Sequence, residues 1–221
     1  MKTLKLLLLK LILLTTCLST STFALEQIVE KDTRFPSDFQ IQEFKDKLDK
    51  ISSDFPEEMI QVDFTGGSKV KSAYPAGDLY ILLGIGKKDE EMTKTEYTKL
   101  WRVMNYLNTK GFRVMMNVMA KIKHLEAAID STETSLIMFS GHGNKTGFYD
   151  YDGKRVPSDI FKNAHEDLYQ FVLSSCHGRI ALNAKYHIPS HMKTYAWRGL
   201  TDSSEFVDFL VSNDWSATAG R

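Results

Sequence analysis

The sequence predicts an α/β protein, a three-layer sandwich built on a mostly parallel central sheet. Three observations predict it. Five short apolar runs recur along the chain: "DLYILLGIG", "FRVMMNV", "SLIMFS", "YQFVLSS" and "MKTYAW". The runs show little polar alternation, as in strands covered on both faces, and that is the signature of a parallel sheet. The stretches between them are long enough, and periodic enough, to carry crossover helices.

The elements follow in order. Residues 1–24, "MKTLKLLLLKLILLTTCLSTSTFA", read as a signal peptide: Lys2 and Lys5 lead, an apolar run follows, and Thr22-Phe23-Ala24 closes it. The run is too short to cross a membrane, and no later stretch is long enough. The expected location is therefore secreted or periplasmic. Cys17, after "LLTT", is a minor candidate for a lipid anchor, although Thr16 before it fits that pattern poorly. Residues 25–77 form an N-terminal segment, a cap or a pro-segment. In it, Phe44, Leu48, Ile51 and Phe55 recur at helical spacing, predicting a helix over 37–53 that Pro56 ends. "MIQVDF" alternates as an edge strand does. The turn-rich "TGGSKVKSAYPAG" marks a loose boundary.

From residue 78 to residue 221 the alternation is regular. After the first strand, a helix over 95–110 carries Leu100, Val103, Met104 and Leu107 on one face, and Gly111 stops it. A second helix, over 120–130, turns Ile122, Leu125 and Ile129 inward. Helices are expected over 158–165 and 179–184. A closing helix over 203–212 would carry Phe206, Phe209 and Leu210 on one side. No internal repeat or low-complexity tract interrupts the pattern.

Lys+Arg and Asp+Glu both number 28, so no basic field points to nucleic acid. Removing residues 1–24 takes three lysines and no acid, leaving 25 basic residues against 28 acidic ones. It also takes Cys17, leaving Cys176 as the one cysteine. An unpaired thiol in an exported protein invites oxidation. A lone cysteine is commonly a small core hydrophobe, and a histidine in a glycine-rich turn can be unremarkable.

Position argues for more. His142 follows the third parallel strand and Cys176 follows the fourth. Such sheets place chemistry at the carboxyl ends of their strands. If the two strands are neighbours, both side chains lie at one edge. An imidazole can ionise a thiol and later protonate a leaving amine. The N–H groups of Gly143 and Cys176 could serve an oxyanion. Gly141 and Gly143 would let a substrate approach the backbone, and Gly178 is expected to do the same beside the cysteine.

Other motifs carry less. Gly84-x-Gly86 lacks the third glycine and the spaced acid of a nucleotide loop. Cys176, His177, His187 and His191 could form a zinc cluster, but the spacing is irregular and Pro189 interrupts it. Asn144-Lys145-Thr146 is a sequon beside the proposed site, expected to be unmodified because a glycan there would obstruct substrate.

"SLIMFSGHGN" followed by "YQFVLSSCHG" resembles the caspase–legumain–gingipain superfamily of cysteine peptidases, in which one strand ends in His-Gly and the next in the nucleophilic Cys. The separation here is 34 residues, at the short end for such enzymes. The insert "NKTGFYDYDGKRVPSDIF" matches the family's glycine, hairpin and helix, and "YAWRG" looks like the caspase loop that lines the substrate channel. The resemblance covers roughly residues 78–209 and makes 78–221 a caspase-like catalytic domain. It departs at Ser174-Ser175, where caspases carry Gln-Ala and legumains Glu-Ala, and at His177-Gly178 after the cysteine.

The resemblance implies a thiol protease, a hydrolase acting on a protein or peptide. Cys176 would be the nucleophile, His142 the acid/base, and the N–H groups of Gly143 and Cys176 the oxyanion hole. No cofactor is implied, and calcium, which some relatives use, has no visible site. The specificity pocket would draw on "GKKDEEM" and "WRGLTD", with Trp197 and Arg198 lining it. Arg198 would favour an acidic P1 residue; Asp202, Asp89 or Glu90 would favour a basic one. The alternative is an inactive binding module on the same scaffold.

Overall fold

The apolar runs become strands and the periodic stretches become helices. The computed structural model describes residues 37–54, 58–62, 74–84, 94–201 and 209, all within the unit that runs from Pro36 to Arg221. In chain order these are α1 (Asp38–Asp54), β1 (Ile60–Gln61), β2 (Gly77–Gly84), α2 (Lys94–Thr109), β3 (Phe112–Asn117), α3 (Ile122–Asp130), β4 (Thr134–Gly141), β5 (Gly143–Asn144), β6 (Gly147–Phe148), a 3-10 turn (Ile160–Asn163), β7 (Gln170–Ser174), α4 (Gly178–Lys185) and β8 (Lys193–Ala196). The signal-peptide stretch, the loop "GKKDEEM", Asp202 and nearly all of the expected closing helix lie outside the described residues; Phe209 alone of that helix is described, and it is helical. Among the described residues, no helix is long and apolar enough to cross a membrane.

Local chemistry sets the helix ends. Ser37 caps α1: its Oγ accepts the Gln40 N–H at 3.3 Å, while Gln40 Oε1 accepts the Ser37 N–H at 2.9 Å, a capping box. After α2 the chain turns at Gly111 with φ 93°, a conformation that costs glycine little. The first N–H of α3, on Ile122, is taken by Asp150 Oδ2 at 3.1 Å. The buried Asp150 also accepts the N–H groups of Asp152 and Lys154 through Oδ1, at 3.0 and 2.8 Å. One carboxylate thus ties the insert after His142 to a helix on the sheet.

Six strands form the sheet in the order β1-β3-β2-β4-β7-β8. β2, β3, β4, β7 and β8 are parallel, and only the two-residue β1 runs antiparallel, beside β3. The fold is α/β with a mixed, mostly parallel sheet flanked by helices. "MIQVDF" supplies an edge strand as expected, trimmed to Ile60 and Gln61.

Alternate residues of each strand point to opposite faces, and two core clusters result. Leu79, Ile81, Leu136, Met138 and Val172 face one side, with Leu100, Val103, Met104 and Leu107 of α2 and Phe44 and Leu48 of α1. Leu82, Ile137, Phe139, Phe171 and Leu173 face the other, with Leu125, Ala128 and Ile129 of α3 and Ala181 and Leu182 of α4. β3 and β4 flank β2 on opposite sides, so the chain reverses its winding there.

One expectation is corrected. The helix expected over 158–165 is a single 3-10 turn, Ile160–Asn163. Its bonds are of the tight kind, Lys162 N–H to Asp159 and Ala164 N–H to Phe161, both at 3.0 Å. So short a segment cannot offset the cost of nucleating an α-helix. Packing decides instead. Phe161 is fully buried, with its ring 4.8 Å from that of Phe171, and this pins the turn to the sheet.

The amino ends of the strands hold a different cluster. Arg113 reaches the buried Asp78 through Nε at 2.8 Å and through Nη2, which also reaches Glu133 at 3.1 Å. The hydrogen bond that Arg113 donates to Asp78 raises the Arg113 pKa further above its already high ordinary value.

Candidate functional site

The carboxyl ends of β4 and β7 carry the site. These strands are parallel neighbours, and their last registered pair is Ser140 with Ser174. His142 and Cys176 each lie two residues beyond that pair, on strands spaced about 4.8 Å apart. The strand order therefore brings the two together at one edge.

His142 is exposed. Its turn is held by the β5–β6 hairpin, in which Gly143 faces Phe148 and Asn144 faces Gly147. The His142 carbonyl accepts the Tyr149 N–H at 2.9 Å. Antiparallel ladders alternate bonded and unbonded pairs, so Gly143 and Phe148 are an unbonded pair and the Gly143 N–H points out of the hairpin. Phe148 agrees: its N–H goes instead to Tyr186 Oη at 3.4 Å, and its carbonyl accepts the Val156 N–H at 2.9 Å. Asn144 tightens the bend, with Oδ1 accepting the Thr146 N–H at 2.8 Å and the Thr146 hydroxyl at 2.6 Å. Phe148 is fully buried, 5.3 Å from the Phe139 ring and 5.1 Å from the Tyr186 ring. Tyr186 donates its hydroxyl to the Val156 carbonyl at 3.0 Å, and burial raises its pKa above the ordinary 10.0.

The hairpin lies against the cysteine turn. A Cβ placed on Gly143 would overlap Ser175 Oγ and come within 3.0 Å of the Cys176 carbonyl oxygen. Only glycine permits that approach. Ser175 is almost wholly buried, and its hydroxyl has no hydrogen-bond partner.

Cys176 is partly exposed and free of any disulfide. Its thiol donates to the Thr201 carbonyl at 3.7 Å. His177 follows in the left-handed conformation, φ 57° and ψ 18°, and begins α4. The residues after β8 fold back over this turn. The Trp197 carbonyl accepts the Arg179 N–H at 2.8 Å, and the Gly199 carbonyl accepts the His177 N–H at 2.6 Å. His177 Nδ1 meets the Arg198 carbonyl at 3.0 Å. Trp197 is partly buried against Phe209, with ring centroids 5.2 Å apart, and Arg198 is exposed.

The sequence-expected residues therefore divide. Cys176, His142, Gly143, Trp197 and Arg198 belong to chain segments that meet at one sheet edge. Asp202, Asp89 and Glu90 lie outside the described residues. Gly178 does not clear space for a ligand, as had been expected of it. It is buried, and a Cβ there would sit 3.0 Å from Leu173 Cδ2, so its smallness serves the packing of α4 on β7. The zinc candidates disperse: His187 donates its N–H to Ser158 at 3.2 Å, and His191 Nε2 meets the His165 carbonyl at 3.2 Å. Among the described residues, no three His, Cys, Asp or Glu side chains gather as metal ligands do.

Sequence reasoning missed Ser175, Thr201 and the structural part of His177. The first two carry no sequence signal. Nor does His177 advertise its backbone: a glycine follows it, and a left-handed turn there would ordinarily be assigned to Gly178. No protein-family model and no curated protein matches the chain.

Proposed function

We propose that this chain is an exported cysteine endopeptidase of caspase-like fold, using Cys176 and His142. The observation that carries the reading is the register. Two side chains able to form a nucleophile–base pair stand two residues past paired positions on adjacent parallel strands. A sheet of this kind binds ligands at that edge.

In this reading His142 accepts the Cys176 proton as the sulfur attacks the scissile carbonyl carbon. The Gly143 N–H, directed out of its hairpin, and the Cys176 N–H stabilise the tetrahedral oxyanion. Collapse of the tetrahedral state breaks the C–N bond. His142 gives its proton to the departing amine, and a thioester remains on Cys176. Water then attacks the thioester with His142 as base, releasing the carboxylate and restoring the thiol. Trp197 and Arg198 flank the path of the substrate. A pocket set by Arg198 would favour an acidic P1 residue; one set instead by Asp202, Asp89 or Glu90 would favour a basic one.

The test uses fluorogenic peptides with Asp, Asn, Arg or Lys at P1. The wild-type chain is expected to cleave one class. Cys176→Ala should abolish that cleavage, and His142→Ala should lower kcat by about a hundredfold or more, the usual share of acid–base catalysis. Cleavage equal in wild type and Cys176→Ala would overturn the reading, as would no cleavage of any class by the wild type.

A further inference from the structure

His177 stands next to the proposed nucleophile, yet the proposed mechanism gives it no role. Among the described residues it is the only non-glycine with positive φ. A side chain in that conformation is disfavoured and persists where surrounding contacts over-determine it. The left-handed turn aims two donors of one residue at consecutive carbonyls: the main-chain N–H at Gly199, 2.6 Å, and ring Nδ1 at Arg198, 3.0 Å. A carbonyl only accepts, so Nδ1 carries the proton in this bond. Arg179 adds a third bond, to the Trp197 carbonyl at 2.8 Å. A fourth carbonyl of the same loop, that of Thr201, receives the Cys176 thiol at 3.7 Å. The 197–201 loop thus lies on the cysteine turn through its carbonyls, and the Thr201 carbonyl meets the sulfur.

We propose that His177 is a positioning residue whose Nδ1–H latches the 197–201 loop over Cys176, setting both access to the thiol and the placement of Trp197 and Arg198 beside it. The second half rests on the peptidase reading; the first does not. With the ring bond broken, the loop keeps its main-chain contacts but loses the tie from the His177 ring to Arg198, and the thiol is uncovered more often.

Two substitutions separate the ring from the backbone. His177→Gly keeps the left-handed turn at no steric cost and removes the donor. His177→Asn also tolerates that turn, and its amide nitrogen stands the same number of bonds from Cα as Nδ1 does. Both lack an imidazole, so any direct influence of the ring on the thiol is equal in the two. The readout is the rate of iodoacetamide alkylation, followed by mass spectrometry on the tryptic peptide carrying Cys176 in the full chain. Glycine is expected to speed alkylation about fivefold, the factor that losing one ordinary hydrogen bond gives. Asparagine should return the rate to near the wild-type value. An unchanged rate in His177→Gly would overturn the latch, as would His177→Asn reacting as fast as His177→Gly. Alkylation needs no peptide cleavage. A wild type that cleaves nothing, with glycine fast and asparagine slow, keeps the latch and sinks the peptidase. Where cleavage is present, His177→Gly should raise KM more than it lowers kcat.

Discussion

At the scale of single residues, the contact between Gly143 and Ser175 decides how closely the two strand ends approach. The Ser175 hydroxyl is buried without a partner, a state that costs about 1–3 kcal/mol. Ser175→Ala removes that cost and should raise stability by about 1 kcal/mol in a denaturant melt. Gly143→Ala should do the opposite. Its Cβ overlaps Ser175 Oγ, so the hairpin must shift, with a loss of about 1–3 kcal/mol. Placed in the Ser175→Ala background, the same change should cost less, because the overlapping atom is gone. Simple additivity of the two changes in that double-mutant cycle would show that the two residues do not touch. The sequence marked Gly143 as a glycine that lets a substrate approach the backbone, whereas the space of its missing Cβ is taken by Ser175.

At the scale of elements, the β5–β6 hairpin holds His142 through a buried tyrosine from the loop after α4. Tyr186 donates to Val156 and accepts from Phe148, and Tyr80 on β2 is partly buried. Removal from water, nearly full at Tyr186 and partial at Tyr80, raises both phenol pKa values above the ordinary 10.0. A group whose pKa is higher in the folded chain than in the unfolded one holds its proton more tightly when folded. Its contribution is fully present below pH 10 and is lost as pH climbs above it. Stability should therefore fall as pH rises through and beyond 10. Tyr186→Phe should flatten part of that fall while lowering stability at neutral pH by about 1 kcal/mol, the worth of a hydrogen bond. An alkaline melt unchanged by the substitution would remove Tyr186 from the account. Helix and strand identities were legible here because period and punctuation are local signals. The 158–165 segment was misread for the same reason: its polar residues suit a helix, while the burial of Phe161 sets a 3-10 turn.

At the scale of the molecule, the N-terminal helix shares its core with the sheet. Phe44 and Leu48 of α1 lie in the same cluster as Leu100, Met104 and Val114, and β1 extends the sheet beside β3. Leu48→Ala should cost about 2–5 kcal/mol, read as a lower midpoint in a cooperative urea melt. If α1 folded apart from the rest, the melt would show two transitions, only one of them shifted. The boundary placed at residue 77 from turn composition does not interrupt this core, because turn-rich sequence marks a change of direction and says nothing of which surfaces later meet.

The class of fold, five parallel strands and most of the helices between them were legible in the amino-acid order alone. So were the candidates His142 and Cys176, since each stands at the end of an apolar run. Those properties follow from the local spacing of apolar residues and from glycine and proline. It took the folded chain to make β4 and β7 neighbours in register, to set Gly143 on Ser175, and to bring the 197–201 carbonyls back to the cysteine turn. Strand order and loop docking are set by which distant surfaces bury each other and by where main-chain donors find acceptors. No local pattern in "SSCHG" or "YAWRG" encodes that.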